Sequence, residues 1–222
     1  MKKLIGIVIF RFALAIVVFA LLFFLTSGTL AYWQAWVFCG VLFVPMLIVL
    51  VYLLNKDPKL LERRMRTKEK EAPQSIFIKL SLIIFVIEFI IPGLDFRFGW
   101  SFVPISVVIV ADILVFIGYS IFFLVLRENS YASRVVEVEQ GQKVISTGLY
   151  AVVRHPMYLA VLLIYMFAPL ALGSFWALIA VIPIPILLVL RILNEEKVLA
   201  RELSGYEDYT KKVRCRLLPL VW

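Results

Sequence analysis

The chain has 222 residues, of which 63% are hydrophobic, a mean hydropathy of +0.99 and a formal net charge of +8. Ordinary soluble domains are close to half apolar, so this composition excludes that class and points to a polytopic integral membrane protein. The positive charge collects in alternate loops instead of lining one soluble face, which argues against nucleic acid as a partner.

A membrane-crossing helix needs roughly 20 mostly apolar residues to cover about 30 Å of hydrocarbon. Six segments approach that length, near 4–26, 33–54, 76–94, 102–126, 157–173 and 175–193. The expected fold is all-α, with about six transmembrane helices, a C-terminal helical hairpin and a cytoplasmic amphipathic helix. Lys2 and Lys3 precede the first apolar run as they would in a signal peptide. That run is long for a signal's apolar region and Thr26-Ser27-Gly28 is a weak cleavage site, so it is read as a retained span. Cys39 lies in the second span and Cys215 in the tail, with no metal-like spacing between them, so neither a disulfide nor a metal site is expected.

The loop after span two carries Lys56, Lys59, Arg63, Arg64, Arg66, Lys68 and Lys70. It reads as a topology signal with an attraction to anionic lipid. Arg127, Arg134, Lys143 and Arg154 follow span four, whereas the opposite loops contain only Arg97. The positive-inside rule then places both termini and the Arg154 region toward the cytoplasm. Glu88 and Asp112 fall inside predicted spans, where an ionisable group is expected to be neutral, paired or beside a cavity.

Residues 1–126 read as N-terminal transmembrane helices, and residues 127–222 as the chemical half of the chain. Residues 127–150 are too polar to span and too rich in turn formers for one long helix, which predicts a covering loop. Pro156 suits the first turn of a helix and biases His155 toward an extended backbone. Arg154 and His155 therefore stand just before a helix whose first amides favour an anion. Gly173-Ser174 separates the last two spans as a tight hairpin turn, and Pro183 and Pro185 are expected to bend or break the sixth. From Asn194 onward Val198, Leu199 and Leu203 alternate with charged residues as an amphipathic helix that Gly205 stops, either continuing span six or lying on the interface. No Gly-x-Gly-x-x-Gly fingerprint follows a strand, and the one histidine has no elbow-like serine motif to partner it.

Gly148-Leu149-Tyr150, Val153-Arg154-His155-Pro156-Met157-Tyr158, Glu195-Glu196 with Leu199, and Gly205-Tyr206 with Tyr209 occur in that order. This C-terminal half resembles the membrane methyltransferase superfamily that includes isoprenylcysteine carboxyl methyltransferases and phospholipid N-methyltransferases. The resemblance covers roughly residues 127–218. It implies S-adenosylmethionine as cofactor, held near the cytoplasmic face, and a lipophilic or prenylated acceptor arriving from the bilayer. It places cofactor contacts at Tyr150, His155, Pro156, Tyr158, Glu195 and Glu196, and catalytic roles at Arg154 and Arg191.

Physical chemistry bears on those roles. Methyl transfer to a carboxylate needs alignment and partial removal of water more than acid–base work. Arg154 can fork onto a carboxylate in a way lysine cannot, with Arg191 as a second contact. Glu195 and Glu196 stand about 100° apart on a helix, so they cannot meet one atom. One is free to take the cofactor's hydroxyls or amino group while the other meets solvent or Arg191. Tyrosines at this edge serve as interfacial anchors or as aromatic faces toward a sulfonium. A prenylcysteine-like carboxylate is the preferred acceptor and an aminophospholipid the close alternative, with a carboxylate taking the proton from nitrogen. A different class is a sterol-type reductase using NADPH, whose similar motif carries asparagine after His-Pro where this chain has Met157. A scaffold that has lost activity is the third.

Overall fold

The computed structural model describes residues 2–65, 72–133, 135, 137–219 and 221–222. Arg66, Lys68, Lys70 and Arg134 of the basic loops lie outside the described residues. Regular structure among the described residues is entirely helical. Helix α1 (Lys2–Ala20) continues through a π turn at Leu21–Leu25, followed by α2 (Trp33–Lys56), the short α3 (Pro58–Arg64), α4 (Ala72–Phe98) and α5 (Ile105–Glu128). A 3₁₀ turn at Gly148–Ala151 precedes α6 (Pro156–Ala171), α7 (Ala177–Val181), α8 (Pro183–Glu202) and α9 (Tyr206–Lys212).

Among the described residues, four helical stretches are long and apolar enough to cross a membrane: Lys2–Leu25, Trp33–Lys56, Ile105–Glu128 and Ala177–Glu202. The six expected from sequence are therefore only partly met. Helix α6 has 16 residues, about 24 Å of rise against about 30 Å of hydrocarbon. Helix α4 is 27 residues long but carries Glu88, Asp95 and Arg97 in its second half. The sixth segment breaks where proline demanded: α7 ends at Val181 and Pro183 opens α8. From there α8 runs unbroken to Glu202, so the amphipathic stretch is a continuation of span six. Gly205, at φ +82°, makes the left-handed turn into α9.

Helices α5 and α6 approach closely because Gly118 has no side chain. A Cβ there would stand 2.8 Å from Ile164 Cγ1 and 3.0 Å from the Ala160 carbonyl oxygen. Small residues commonly permit such contacts between membrane helices. Below this seam, Phe19, Phe23, Phe38 and Phe89 form an aromatic core with edge-on and tilted ring pairs. Helix α6 also packs on α7 and α8 through Tyr158, Val161 and Tyr165 against Val181, Ile184 and Leu188.

At the end of the bundle away from the Arg-His-Pro motif, Asp95 of α4 ties two connections together. It accepts from the Ser101 amide at 2.8 Å and from the hydroxyls of Ser101 and Ser174. Nearby, the Tyr32 hydroxyl donates to the Leu172 carbonyl. Glu88, expected to be neutral, paired or beside a cavity, lies on the same helix as Asp95. It is fully buried and neither carboxyl oxygen makes a hydrogen bond, as is also true of Asp112 Oδ1.

Candidate active site

Pro156 occupies the first position of α6 and His155 caps it at φ −126°, ψ 60°. The backbone amides leading into this helix are already engaged by the tail. Arg154 N donates to the Cys215 carbonyl and His155 N to the Arg216 carbonyl, each at 2.9 Å. The anion expected at this threshold is the protein's own Glu196. Its Oε1 accepts from Arg154 Nη1 at 2.9 Å and lies 3.2 Å from His155 Nε2, while Oε2 accepts from Arg216 Nε at 2.9 Å. Arg154 Nη2 also donates to the Arg214 carbonyl at 3.3 Å. The Arg154 side chain is only 8% exposed and that of Glu196 12%. Charge-assisted bonds at both carboxylate oxygens are what make such burial tolerable.

Glu195 points elsewhere, as its position one residue earlier on α8 requires. It accepts from the Tyr158 hydroxyl, and that hydroxyl accepts from Arg191 Nε at 2.9 Å. Tyr158 thus bridges Arg191 and Glu195 across α6 and α8. Of the two carboxylates expected to divide between cofactor and either solvent or Arg191, Glu195 reaches Arg191 through the Tyr158 hydroxyl, and both are partly covered. Around the 3₁₀ turn, Asn129 Nδ2 donates to the Tyr150 hydroxyl at 2.9 Å and the Tyr209 hydroxyl donates to the Tyr150 carbonyl at 2.8 Å. Burial pushes the Tyr150 hydroxyl up to about 12 and raises Tyr206 and Tyr209 as well, so all three are neutral at physiological pH.

Tyr150, Arg154, His155, Tyr158, Arg191 and Glu195 line one hollow of about 880 Å³, counting its open mouth. Tyr206 and Tyr209 complete one wall and the loop from Asn129 to Ile145 supplies the roof. The described residues of 127–150 thus lie mostly in turns and coil, and several of them cover the hollow. Two expected cofactor residues stand outside this lining. Pro156 is buried in the helix start, and Glu196 faces a second, more open cleft with Lys197 and Arg216. Arg154 and Tyr206 line both spaces and form the partition between them. Arg154 Nε and the Tyr206 hydroxyl are buried there without a hydrogen-bond partner. Glu88 and Asp112 line neither space.

Residues 106–204 match the family model described as phospholipid methyltransferase. No curated protein matches the chain. The match covers a little under half of the sequence, starts within α5 and ends just after α8. It contains Tyr150, Arg154, His155, Pro156, Tyr158, Arg191, Glu195 and Glu196. This stretch is thus similar to the membrane methyltransferases that the motifs already resemble, in keeping with the apolar helices.

Arg216, Asn129 and Tyr209 also belong to the constellation, and no pattern in the sequence assigns them a role. Tyr209 stood within the motif set without an assigned role. Arg216 was one of seven basic residues in a tail with no periodic pattern, and only the return of residues 213–217 to the start of α6 gives it meaning.

Proposed function

We propose that the roofed hollow binds S-adenosylmethionine and that the enzyme passes its methyl group to a lipophilic acceptor entering from the bilayer, on the cytoplasmic side. The observation that carries this reading is the convergence of Tyr150, Arg154, His155, Tyr158, Arg191 and Glu195 on one hollow within the matched region. The lining suits the donor. Glu195 offers a carboxylate to hydroxyl or amino groups, the tyrosine rings offer faces to a sulfonium, and the unpartnered Arg154 Nε and Tyr206 hydroxyl await polar atoms. When bound, S-adenosylmethionine supplies an electrophilic methyl group. The chain's own part is to align the acceptor and to exclude water beneath the roof.

Two guanidinium groups, Arg154 and Arg216, share the single carboxylate of Glu196, which leaves an excess of positive charge at the partition. An acceptor bearing an anion fits that excess, and a prenylcysteine-like carboxylate is preferred because the nucleophile and the anion are then one group. Glu196 retains His155 and Arg216 when Arg154 turns to the substrate. A phospholipid amine is the second reading, favoured by Glu195. There the phosphate takes the arginine and the Glu195 carboxylate receives the amine's proton.

Both termini and the hollow are assigned to the cytoplasmic side from the basic loops, with α4 and α6 completing a six-helix membrane domain. Methyl incorporation from labelled donor into a prenylcysteine analogue and into an aminophospholipid separates the two acceptors. No label in the former removes the carboxylate preference. Calorimetric titration should show saturable binding of S-adenosylhomocysteine; binding of NADPH alone would overturn the methyltransferase reading in favour of the reductase.

A further inference from the structure

Helix α3 belongs to the N-terminal half of the chain, outside the matched region, yet its last two residues reach the roof of the hollow. Asp57 caps the helix by accepting from the Leu60 amide at 2.9 Å, and Pro58 begins it. Leu60 and Leu61 are buried against Val49, Leu53, Leu126 and the roof residue Ala132. Arg11 of α1 donates to the Met65 carbonyl at 3.0 Å, where a cation suits the helix C-terminus. The helix is therefore fixed along one buried face and at its C-terminal end, apart from any contact of its terminal arginines with the roof.

Those contacts are specific. Arg63 Nη1 donates to the Ser130 carbonyl at 2.6 Å, its Nε lies 3.3 Å from Glu139 Oε1, and its guanidinium sits 5.6 Å from the centre of the Tyr131 ring. Arg64 Nη1 donates to the Ala132 carbonyl at 3.0 Å and lies 3.8 Å from Met157 Sδ, with its guanidinium 4.8 Å from the centre of the Phe122 ring. Tyr131, Ala132 and Met157 all line the hollow. Arg64 thus touches the roof at Ala132 and the floor at Met157, on the first turn of α6, from a third element that does not itself line the space.

We infer that Arg63 and Arg64 form a latch that holds the roof loop over the hollow, making them positioning residues for whatever the hollow binds. A loop with little regular structure of its own depends on external anchors to keep one conformation, and a site held by rigid elements loses less freedom on binding. The carbonyls at Ser130 and Ala132 are two residues apart, so both arginines grip the same strand of backbone. The inference rests on the reading of the hollow as the donor site only for its effect on methyl transfer; the anchoring of the roof is independent of it.

The test uses the full chain in nanodiscs, with Arg64→Ala, Arg64→Lys and Glu139→Gln, the last removing a roof-side partner without altering α3. Amide hydrogen exchange over residues 129–145 in ligand-free protein reads the latch directly. Arg64→Ala should speed exchange in this segment but not in α2 or α5, and Arg64→Lys should give a smaller change. Glu139→Gln should speed it more weakly and serves if Arg64→Ala does not fold. Binding of S-adenosylhomocysteine should weaken by about tenfold in Arg64→Ala, the size of one lost charge-assisted contact, with kcat changed less than donor KM. Unchanged exchange over 129–145 in these variants overturns the latch. Failure of the unaltered protein to bind S-adenosylhomocysteine, with exchange responding as described, overturns the donor-site reading and leaves the latch standing.

Discussion

The two ends of the bundle both bury carboxylates, and they treat them differently. Asp95, at the end away from the motif, is 1% exposed and receives an amide and two hydroxyls from the connections beside it. Its bonds close a joint. At the other end, Glu195 and Glu196 are gathered with Arg154, Arg191, His155 and Arg216 around two spaces, and Arg154 Nε and the Tyr206 hydroxyl stay unpartnered in the partition between them. A polar cluster that satisfies itself serves the fold, whereas one that surrounds a hollow and leaves donors over is arranged for something else.

The sharpest way to break this contrast is Glu196→Gln. Removing the charge shared by Arg154, His155 and Arg216 leaves guanidinium groups uncompensated in a mostly covered place, which costs about 3–5 kcal/mol for a buried pair. Turnover is expected to fall as well, because Arg154 and Arg216 lose the carboxylate that orients them. A radiometric methyl-transfer assay beside a thermal melt reads both losses. Arg154→Ala should come next, with loss of acceptor turnover and a more modest loss of donor affinity; unchanged turnover would reject Arg154 as the acceptor clamp. Tyr158→Phe keeps the ring but removes the hydroxyl between Arg191 and Glu195, and donor affinity should drop by about tenfold for one charge-linked hydrogen bond. Ser174→Ala at the far joint should lower stability by about 1–3 kcal/mol, the cost of depriving a buried partner of its bond, while leaving donor affinity within twofold. If Ser174→Ala altered affinity as much as Tyr158→Phe, the contrast between the ends would be lost.

Much of this arrangement was legible before any coordinates. Pro156 located the start of α6 and Pro183 the break before α8 because proline imposes its constraint locally, wherever the chain goes afterwards. The angle between Glu195 and Glu196 likewise follows from helical geometry alone, and the structure sends them to different spaces. What could not be read was long-range closure. Nothing in the spacing of the tail foretells that the carbonyls of Cys215 and Arg216 meet the amides of Arg154 and His155, so the helix threshold was read as open to an external anion. Six apolar segments are legible, but α6 has only 16 residues before the turn of Gly173, at φ +74°, and α4 places Glu88, Asp95 and Arg97 in its second half, so length and composition alone support four. Arg63 and Arg64 were read as topology signals, and their reach to the roof depends on the fold of α3 against α2.

The return of the tail to the threshold of α6 makes register there matter more than side-chain identity. The acceptors are the consecutive carbonyls of Cys215 and Arg216, so a one-residue deletion between Val213 and Leu217 would move both out of step with the Arg154 and His155 amides and swing Arg216 off Glu196. Point substitution at Cys215 spares that pattern. Constraint in this stretch therefore falls on its length, a quantity that residue-by-residue comparison of side chains would overlook.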